Sequence, residues 1–352
     1  MSARGVAPNE RTASPGVSYV MPVLNDVANV TQAVESLLAQ DFTGAWDITI
    51  AVGPSIDGTT ELVAALGRRD KRIRVIDNPE GSTPAGLNLA IRNSSYPVII
   101  RVDAHSVLPP DYARIAVATI VATDADNVGG IMDAQGHTPF EHAVARAYGT
   151  RVGLGGTRLH VGGPEGEAET VYLGVFQRDR IERAGLFDEH IKRGQDWELN
   201  QRLRRAGGKV WFTPDLKVAY RPRSSVRTLA RQMFATGLWR AELTRNNGTG
   251  GSVRYLVPPL AVIGILVGVI VGIGGVVQLA LSQQPLLLGG WLIPAAYVIF
   301  VVLASLIAGR RLGLRARAWF LIVLPCIHVS WGLGFLLGIA RLNPDVTTRT
   351  GR

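Results

Sequence analysis

The sequence predicts an α/β domain with a largely parallel sheet, followed by C-terminal transmembrane helices. Short β-branched runs alternate with amphipathic helical patterns in the N-terminal part, and charged residues become scarce after about residue 255. Three apolar stretches of membrane-crossing length then follow. We therefore expect an N-terminal tail over 1–16, a soluble domain over 17–220, an amphipathic interface region over 221–255, a membrane domain over 256–341 and a tail over 342–352.

Strands and crossover helices are predicted in alternation along the soluble part. The predicted strands cover Val17–Val23, Ile48–Val52, Ile73–Ile76 and Val98–Val102. The predicted helices cover Val27–Gln40, Thr60–Leu66 and Thr83–Arg92. In a sheet of this kind a ligand lies outside the carboxyl ends of the strands. The residues that follow those ends are the first candidates for a site: Asn25 and Asp26, Gly53 to Asp57, Asn78, and Asp103 to His105.

The charge distribution argues against a nucleic-acid partner. The chain has a formal net charge of +9, with 37 basic and 28 acidic residues. From Leu256 onward there are seven Arg and one acidic residue, Asp345, so the first 255 residues hold 30 basic and 27 acidic groups. A nucleic-acid-binding face needs its excess positive charge on the soluble part. Here the excess positive charge lies beside the apolar segments, where arginines determine membrane topology and interact with anionic lipid headgroups.

Three stretches are long enough to cross a bilayer: Val257–Leu281, Leu286–Gly309 and Trp319–Ala340. The four arginines between the second and third stretches place that loop in the cytoplasm by the positive-inside rule. Three full crossings would leave the arginines of the C-terminal tail outside, so a bent or re-entrant third segment around Pro325 is the alternative. The segment before Gly16 lacks the apolar core of a secretory signal, and we expect the soluble domain in the cytoplasm.

Nucleotide-binding fingerprints of two common kinds do not occur in the sequence. No GxGxxG follows the first strand, and no GxxxxGK[ST] loop is found, which disfavours a dehydrogenase or a kinase. The one cysteine, Cys326, excludes an intrachain disulfide.

A triplet with metal-binding side chains, Asp103-Ala104-His105, follows the fourth predicted strand. Residues i and i+2 at a strand end can reach into the same crevice, and carboxylate and imidazole are ligands of hard or intermediate divalent ions. The alternative is a plain turn.

A second acid, Asp196, stands in the first turn of a predicted helix that runs from Gln195 to Arg205 and ends before Gly207-Gly208. It could act as a general base that takes the proton of an acceptor hydroxyl. The alternative is stabilisation of the helix end by the helix dipole.

A basic and aromatic stretch lies between Arg221 and Arg245 and contains six arginines with Phe234 and Trp239. One interpretation is an amphipathic helix on the membrane surface. The other is that some of these arginines bind the diphosphate of a donor or of a polyprenyl-diphosphate acceptor.

Several blocks in the right order resemble glycosyltransferase family 2. They are VMPVLND at 20–26, SIDGT at 55–59, NPEGSTPAGLN at 78–88, RVDAH at 101–105, GVFQR at 174–178, AGLFDE at 184–189 and QD at 195–196. The resemblance covers about Val17 to Pro214 and is greatest for a branch of the family that acts in bacterial exopolysaccharide biosynthesis.

The resemblance implies a GT-A fold, a Rossmann-like domain that binds a nucleotide sugar. It implies that Asp103 and His105 hold Mg²⁺ or Mn²⁺ against the donor diphosphate, and that Asp196 is the base of an inverting displacement. The residues expected around the donor are Pro22, Asp26, Asp57, Asn88 and Asp103. Two positions depart from the family pattern: Gly53 replaces the acid expected to contact uracil, and His105 replaces the last acid of the DxD motif.

The expected function is transfer of a sugar, with UDP-hexose as the expected donor, to a polyprenyl-diphosphate-linked saccharide at the bacterial inner membrane. The product would be an extracellular or cell-wall polysaccharide. Two alternatives stay open: a polyprenyl-phosphate glycosyl synthase, in which the lipid phosphate itself attacks, and a degenerate transferase domain that acts as a membrane scaffold.

Overall fold

The computed structural model describes residues 14–191, 194–247, 253–282 and 286–342. Packing groups the chain into two compact units. The first contains residues up to 129 together with 165–189 and 196–216, and the second contains 130–164, 190–195 and the chain from 217 onward. The loop predicted to join the first two apolar stretches, and both predicted tails, lie largely outside the described residues. The predicted domain limits stay predictions.

One mixed sheet contains eight strands in the order β3-β2-β1-β4-β7-β5-β8-β6. The strands are β1 Val17–Val23, β2 Trp46–Val52, β3 Ile73–Asp77, β4 Val98–Arg101, β5 Asn127–Ala134, β6 Gly166–Glu167, β7 Tyr172–Gln177 and β8 Val210–Tyr220. The pairs β1–β2, β1–β4 and β2–β3 are parallel, whereas β4–β7 and β6–β8 are antiparallel. The predicted α/β class is confirmed.

The strand order reverses at β1. Strands β2 and β3 follow on one side of β1, and β4 pairs with the other side, which makes the β1–β4 edge a topological switch point. The β1–β4 register ends at Val20 opposite Arg101. Pro22 lies two residues beyond this last pair, so its lack of an N–H removes no bond from that ladder. A crevice between the loops after β1 and β4 is therefore where a ligand is expected.

Helices cover the sheet in the first unit. They are α1 Val30–Leu38, α2 Thr59–Arg69, α3 Thr83–Arg92, α4 Tyr112–Thr123, α8 Arg178–Arg183 and α9 Gln195–Arg205. The apolar faces of α3 and α9 pack with β1 and β7 in a buried cluster that includes Val20, Leu87, Phe176 and Leu199. Helix α1 begins three residues later than predicted, because the N–H groups of Asn29 and Val30 both bond the Asp26 carbonyl in a turn.

Helices of the second unit are α5 Pro139–Tyr148, α6 Arg151–Leu154, α7 Arg158–Val161, α10 Val226–Asn247, α11 Val257–Ser282, α12 Leu292–Ile307 and α13 Leu314–Ile339. Their core joins Phe140 and Val144 of α5, Leu229 of α10, and Phe320 and Leu324 of α13. All three apolar stretches predicted to cross a membrane are helical and long enough to do so, over Val257–Leu281, Leu286–Arg311 and Leu314–Ile339.

Glycines allow the backbones of α10 and α13 to approach each other closely. A Cβ added at Gly237 would meet the Trp331 carbonyl oxygen, and one added at Gly334 would meet the Phe234 carbonyl oxygen. Helix α13 continues through Pro325 without interruption, whereas its predicted start at Trp319 lies five residues inside the helix. The third apolar helix is therefore packed along α10, and 44% of its most apolar window is buried against 22% for each of the other two.

Candidate active site

Two loops meet at the carboxyl end of β1 and fix one side of the crevice. The Asn25 N–H donates to the Ser55 hydroxyl at 3.1 Å, and the Asn25 side-chain oxygen accepts from the Ile56 N–H at 2.9 Å. The Asp26 N–H donates to the Thr59 hydroxyl at 2.9 Å. Asn25 has a positive φ of 49°, which asparagine tolerates better than most residues. The loops after β1 and β2 thus form one hydrogen-bonded rim.

Asp57 belongs to the same rim and is exposed. Its carboxylate accepts hydrogen bonds from the Val27 N–H, the Thr59 N–H and the Thr59 hydroxyl. The Thr59 side-chain bond, ahead of the backbone bonds, lowers the pKa of Asp57. These bonds stabilise the start of α2, so Asp57 has a local structural role. The contact with a donor that the sequence predicts for Asp57 stays a prediction.

The guanidinium of Arg101 joins the two acids singled out by the sequence. Its Nη2 donates to Asp103 Oδ1 at 3.0 Å, and its Nη1 donates to Asp196 Oδ1. The Arg101 side chain is only 6% exposed, whereas those of Asp103 and Asp196 are 19% and 34% exposed. The structure therefore brings Asp103 and Asp196 together around one buried cation.

Burial and charge act in opposite directions on this group of three side chains. Burial opposes the charge of Arg101, but Asp196 and Asp103 outweigh it and raise the arginine pKa. Burial also raises the pKa of Asp196, while Arg101 works to lower it and the nearby Asp103 adds to the increase. A carboxylate whose pKa is raised is a stronger base than a free aspartate, which suits proton abstraction.

His105 pairs with Asp26 across the switch point. Its Nδ1 lies 3.2 Å from Asp26 Oδ2, and Asp26 Oδ1 accepts from the Asn29 side chain at 2.6 Å. Asp26 is nearly buried, whereas the His105 side chain is 36% exposed. If Nδ1 carries the proton, Nε2 keeps a lone pair, which is the arrangement that a carboxylate imposes on metal-binding histidines.

The donor types of Asp103 and His105 fit a divalent ion such as Mn²⁺. Within the part of the chain that the structure describes, no group of three or more His, Cys, Asp or Glu forms a complete metal site. An ion held by these two residues would therefore need further oxygen ligands, from water or from a bound phosphate group, to complete its coordination.

Helix α9 is held firmly in the first unit, and this fixes Asp196. Asn200 is almost fully buried, accepts from the Asn127 side chain at 2.6 Å and donates to the Thr170 hydroxyl at 3.0 Å. Arg202 forks onto Glu198 and also donates to the Leu186 carbonyl at 2.7 Å. A rigid helix places its first-turn acid reproducibly.

Two residues predicted to lie around the donor have structural contacts. The Asn88 side chain donates to the Phe187 carbonyl at 2.8 Å and to Glu189 at 2.7 Å, and its oxygen accepts from the Phe187 N–H at 3.0 Å. Pro22 is buried in β1 and faces Gly86 of α3. Their contacts with a donor stay predictions.

Arg101, Asn200 and Arg202 were not assigned roles from the sequence. A charged residue at the end of an apolar strand, as in Val-Ile-Ile-Arg, was the one available signal for Arg101. Nothing local in the sequence distinguishes Asn200 from a surface asparagine.

Arg221, Arg240 and Arg245 of the basic stretch have defined partners in the second unit. Arg221 donates to the fully buried Glu141 at 3.0 Å, and Arg245 donates to the Gly338 carbonyl at 2.8 Å. The Arg240 guanidinium stacks over the Tyr255 ring at 3.8 Å and the adjacent Trp239 ring at 4.9 Å. Trp239 in turn covers Gly194, two residues before Asp196.

Comparisons with known proteins agree with this architecture. The model of the family Glycosyl transferase family 2 matches residues 18–179. The succinoglycan biosynthesis protein ExoA of Rhizobium meliloti is 30% identical over 269 residues, which are 75% of this chain and 81% of ExoA. A Methanococcus voltae dolichyl N-acetyl-α-D-glucosaminyl phosphate 3-β-D-2,3-diacetamido-2,3-dideoxy-β-D-glucuronosyltransferase is 24% identical and covers 65% of this chain and 74% of its own length.

A solved structure shares the fold. The mannosyltransferase PcManGT from Pyrobaculum calidifontis, in complex with GDP-Man and Mn²⁺, superposes with a TM-score of 0.63 at 14% identity. The match covers 94% of this chain and 89% of that protein.

Proposed function

The chain belongs to glycosyltransferase family 2, and we propose that it is an inverting, metal-dependent transferase acting on a lipid-linked saccharide. The observation that carries the proposal is the meeting of Asp103 and Asp196 at Arg101, beside the switch point of the sheet. Inverting transfer needs one protein group that stabilises the leaving diphosphate and another that accepts the proton of the attacking hydroxyl. These two acids have the chemistry for the two positions.

Asp196 is the proposed general base. The acceptor oxygen forms a bond to the anomeric carbon as the bond from that carbon to the donor phosphate breaks, and the hydroxyl proton passes to Asp196. A single attack inverts the anomeric centre, so an α-linked donor gives a β-linked product. The side chain of Asp196 is one-third exposed (34%), which leaves room for an acceptor to approach.

Asp103 and His105 are proposed to hold Mg²⁺ or Mn²⁺. When bound, such an ion supplies Lewis acidity that neutralises charge developing on the leaving diphosphate. Asp26 orients the His105 ring through the contact of 3.2 Å with Nδ1. The proposal is supported by the donor types and by the Mn²⁺ in the PcManGT complex.

A nucleoside diphosphate sugar is the proposed donor, with uridine as the expected base. Gly53 is closely packed: an added Cβ would lie 3.0 Å from Leu24 and 3.1 Å from Gly81. A larger residue at this position would require its neighbours to shift by a few tenths of an ångström, and the glycine itself offers no acidic partner to the nucleobase of the donor. Guanosine is the competing base, because PcManGT was solved with GDP-Man.

The acceptor is proposed to be a polyprenyl-diphosphate-linked saccharide for an extracellular or cell-wall polysaccharide. ExoA, by its name, belongs to succinoglycan biosynthesis, and the Methanococcus relative acts on a dolichyl-phosphate-linked sugar. Three apolar helices give the chain the means to meet such a lipid at the bacterial inner membrane. The catalytic domain is proposed to face the cytoplasm, on the side of the basic loop before α13.

Helix α13 is proposed to lie at the cytoplasmic membrane surface instead of crossing. Arg245 of α10 bonds the Gly338 carbonyl, and Phe234 lies against Gly334, so α10 runs along the second half of α13. A full crossing of α13 would carry Arg240 and Arg245 toward hydrocarbon, which is costly. A surface position also keeps the arginines of the C-terminal tail inside, which removes the topological conflict of three crossings.

Two measurements on the full chain in detergent test the proposed function. Thermal stabilisation by a panel of UDP and GDP sugars, with and without Mn²⁺, identifies the donor, since ligand binding raises the melting temperature by mass action. Asp196→Asn should then abolish transfer and leave donor binding intact. A silent Asp196→Asn would instead support a polyprenyl-phosphate synthase, and a wild-type chain without donor binding or hydrolysis would support a degenerate scaffold.

A further inference from the structure

We propose that Arg101 is a positioning residue that holds the base Asp196 at a fixed place beside Asp103. This inference rests on the proposed function, in which Asp196 takes the proton of the acceptor. Arg101 itself touches neither substrate nor metal in this scheme. Its effect is exerted through the two carboxylates that its guanidinium joins.

The position of Arg101 in the chain makes the arrangement possible. It is the last residue of β4, and its neighbour Val102 is fully buried. Residues i and i+2 of an extended segment point to the same side, so Arg101 and Asp103 face the same crevice. The end of β4 and the two residues that follow it thereby supply both the cation that reaches toward α9 and the metal-side acid, Asp103.

The geometry divides the guanidinium between two partners. Nη1 bonds Asp196 and Nη2 bonds Asp103, so a rigid planar fork sets the separation of the two carboxylates. Oδ1 of Asp196 receives the Arg101 bond, and no described residue donates a hydrogen bond to its Oδ2. One oxygen of Asp196 is thus anchored, while the other stays available to a hydroxyl.

Charge explains why a neutral side chain could not replace Arg101. Without the cation, two carboxylates would share a partly buried site and repel each other, which favours departure of the more exposed one. Asp196 is the more exposed of the two, at 34% against 19% for Asp103. Removal of Arg101 should therefore displace the base and leave the metal-side acid in place.

A purely structural role makes a different prediction. A buried ion pair that only stabilises the fold would, when broken, weaken donor binding, metal binding and turnover together. Arg178 provides the comparison, because its guanidinium bonds four protein acceptors: the carbonyls of Tyr96 and Ile91, the hydroxyl of Ser94 and the carboxylate of Glu182. Arg178→Met therefore serves as the matched structural control.

The test compares Arg101→Met and Arg101→Lys with wild type in the purified full chain. Arg101→Met is expected to lower kcat about 100-fold, the scale of general-base catalysis, with donor KM changed less than about threefold. Arg101→Lys should recover part of kcat, because it restores the charge without the fork. Mn²⁺ affinity, measured by electron paramagnetic resonance, should be unchanged or tighter in Arg101→Met, since a competitor for Asp103 is lost.

Two results would overturn the inference. One is an unchanged kcat in Arg101→Met; the other is a parallel loss of kcat, donor binding and Mn²⁺ binding like that of a destabilised Arg178→Met. If Arg101→Met does not fold, Arg101→Lys alone decides between the two roles. A lower kcat with unchanged donor and Mn²⁺ binding supports the positioning role, and a parallel loss of binding overturns it. Failure of the proposed function is distinguishable, because Asp196→Asn would then be silent or the wild-type chain would neither bind nor hydrolyse a donor. Failure of this inference alone leaves wild type active and Asp196→Asn inactive.

Discussion

Asn88 on α3 exchanges two hydrogen bonds with the backbone of Phe187, a residue 99 positions later in the chain. A third bond from the same side chain reaches Glu189 at 2.7 Å. The segment that contains Phe187 leads toward α9 and Asp196. The Asn88 side chain, which lies in one of the sequence blocks shared with the family, therefore holds in place the segment around Phe187 that precedes the proposed base, Asp196.

Asn88→Ala is expected to destabilise the protein by about 2–4 kcal/mol, because it leaves buried partners without their hydrogen bonds. The apparent Tm of the full chain in detergent measures this loss. Asn93→Ala, at the residue that follows the same helix, is the control, since Asn93 is exposed and its side chain bonds only the Leu89 carbonyl among the described residues. Equal stability of the two variants would contradict the role of Asn88 in holding this segment, and a large loss of donor affinity without loss of stability would restore the predicted donor contact.

Gly194→Ala is expected to lower both stability and turnover. Gly194 has a φ of +78°, and an added Cβ would fall on the ring of Trp239. Since Gly194 is two residues from Asp196, relief of this clash should move the base. We expect kcat to fall by about tenfold or more, as for small displacements of catalytic groups.

Gly207→Ala is the matched control for that variant. Gly207 has a similar φ of +84°, but an added Cβ would meet nothing within 4 Å. It should cost only the backbone strain, about 1 kcal/mol, with turnover retained. Adding Trp239→Leu to Gly194→Ala should recover part of the lost activity. No difference between the two glycine variants would contradict a role of Trp239 in placing the segment before the base.

Asp26→Asn is expected to weaken Mn²⁺ binding about 10-fold or more, the usual effect of losing the carboxylate behind a metal-binding histidine. The contact concerned is that between Asp26 Oδ2 and His105 Nδ1. Titration of Mn²⁺ followed by electron paramagnetic resonance measures it without turnover. Asp41→Asn, at a carboxylate that is 74% exposed, is the control. Unchanged Mn²⁺ affinity in both His105→Ala and Asp26→Asn would remove His105 from the metal site.

Sequence patterns predicted strands β1 to β4 and the three apolar helices, because both depend on local apolar periodicity, whereas strands β5 to β8 were not predicted. The ends of β1 and α3 were predicted to the residue, whereas α1 began late because the Asp26 carbonyl captures two N–H groups in a turn. The bond between Arg101 and Asp196 joins positions 95 residues apart. Such a pairing depends on how β4 and α9 pack, and no spacing in the sequence encodes it.

Acid is expected to destabilise the chain through His160. Burial lowers the pKa of this ring to about 4, from an ordinary value of 6.5. As the pH falls, the unfolded chain therefore binds this proton before the folded chain does. The contribution of the neutral ring to the free energy of unfolding is complete above about pH 6.5. It decreases as the pH drops to about 4 and changes no further below that pH. The free energy of unfolding decreases by up to about 3 kcal/mol over this pH range.

His160→Gln should remove that part of the pH dependence. The apparent Tm of wild type should drop more than that of His160→Gln between pH 7 and pH 4.5. His137→Gln is the control, because His137 is exposed. Parallel curves for all three proteins would show that His160 does not titrate in this range.

A surface position of α13 predicts that the C-terminal tail stays on the side of the basic loop. Cysteines introduced singly at Gln283, Gly313 and Thr348 in a Cys326→Ser background report the topology. Gly313 is suitable because an added Cβ meets nothing within 4 Å. An impermeant maleimide applied to whole cells should label Gln283→Cys alone, since the loop between α11 and α12 is expected outside. Labelling of Thr348→Cys from outside would mean that α13 crosses the membrane and carries part of α10 into the bilayer with it.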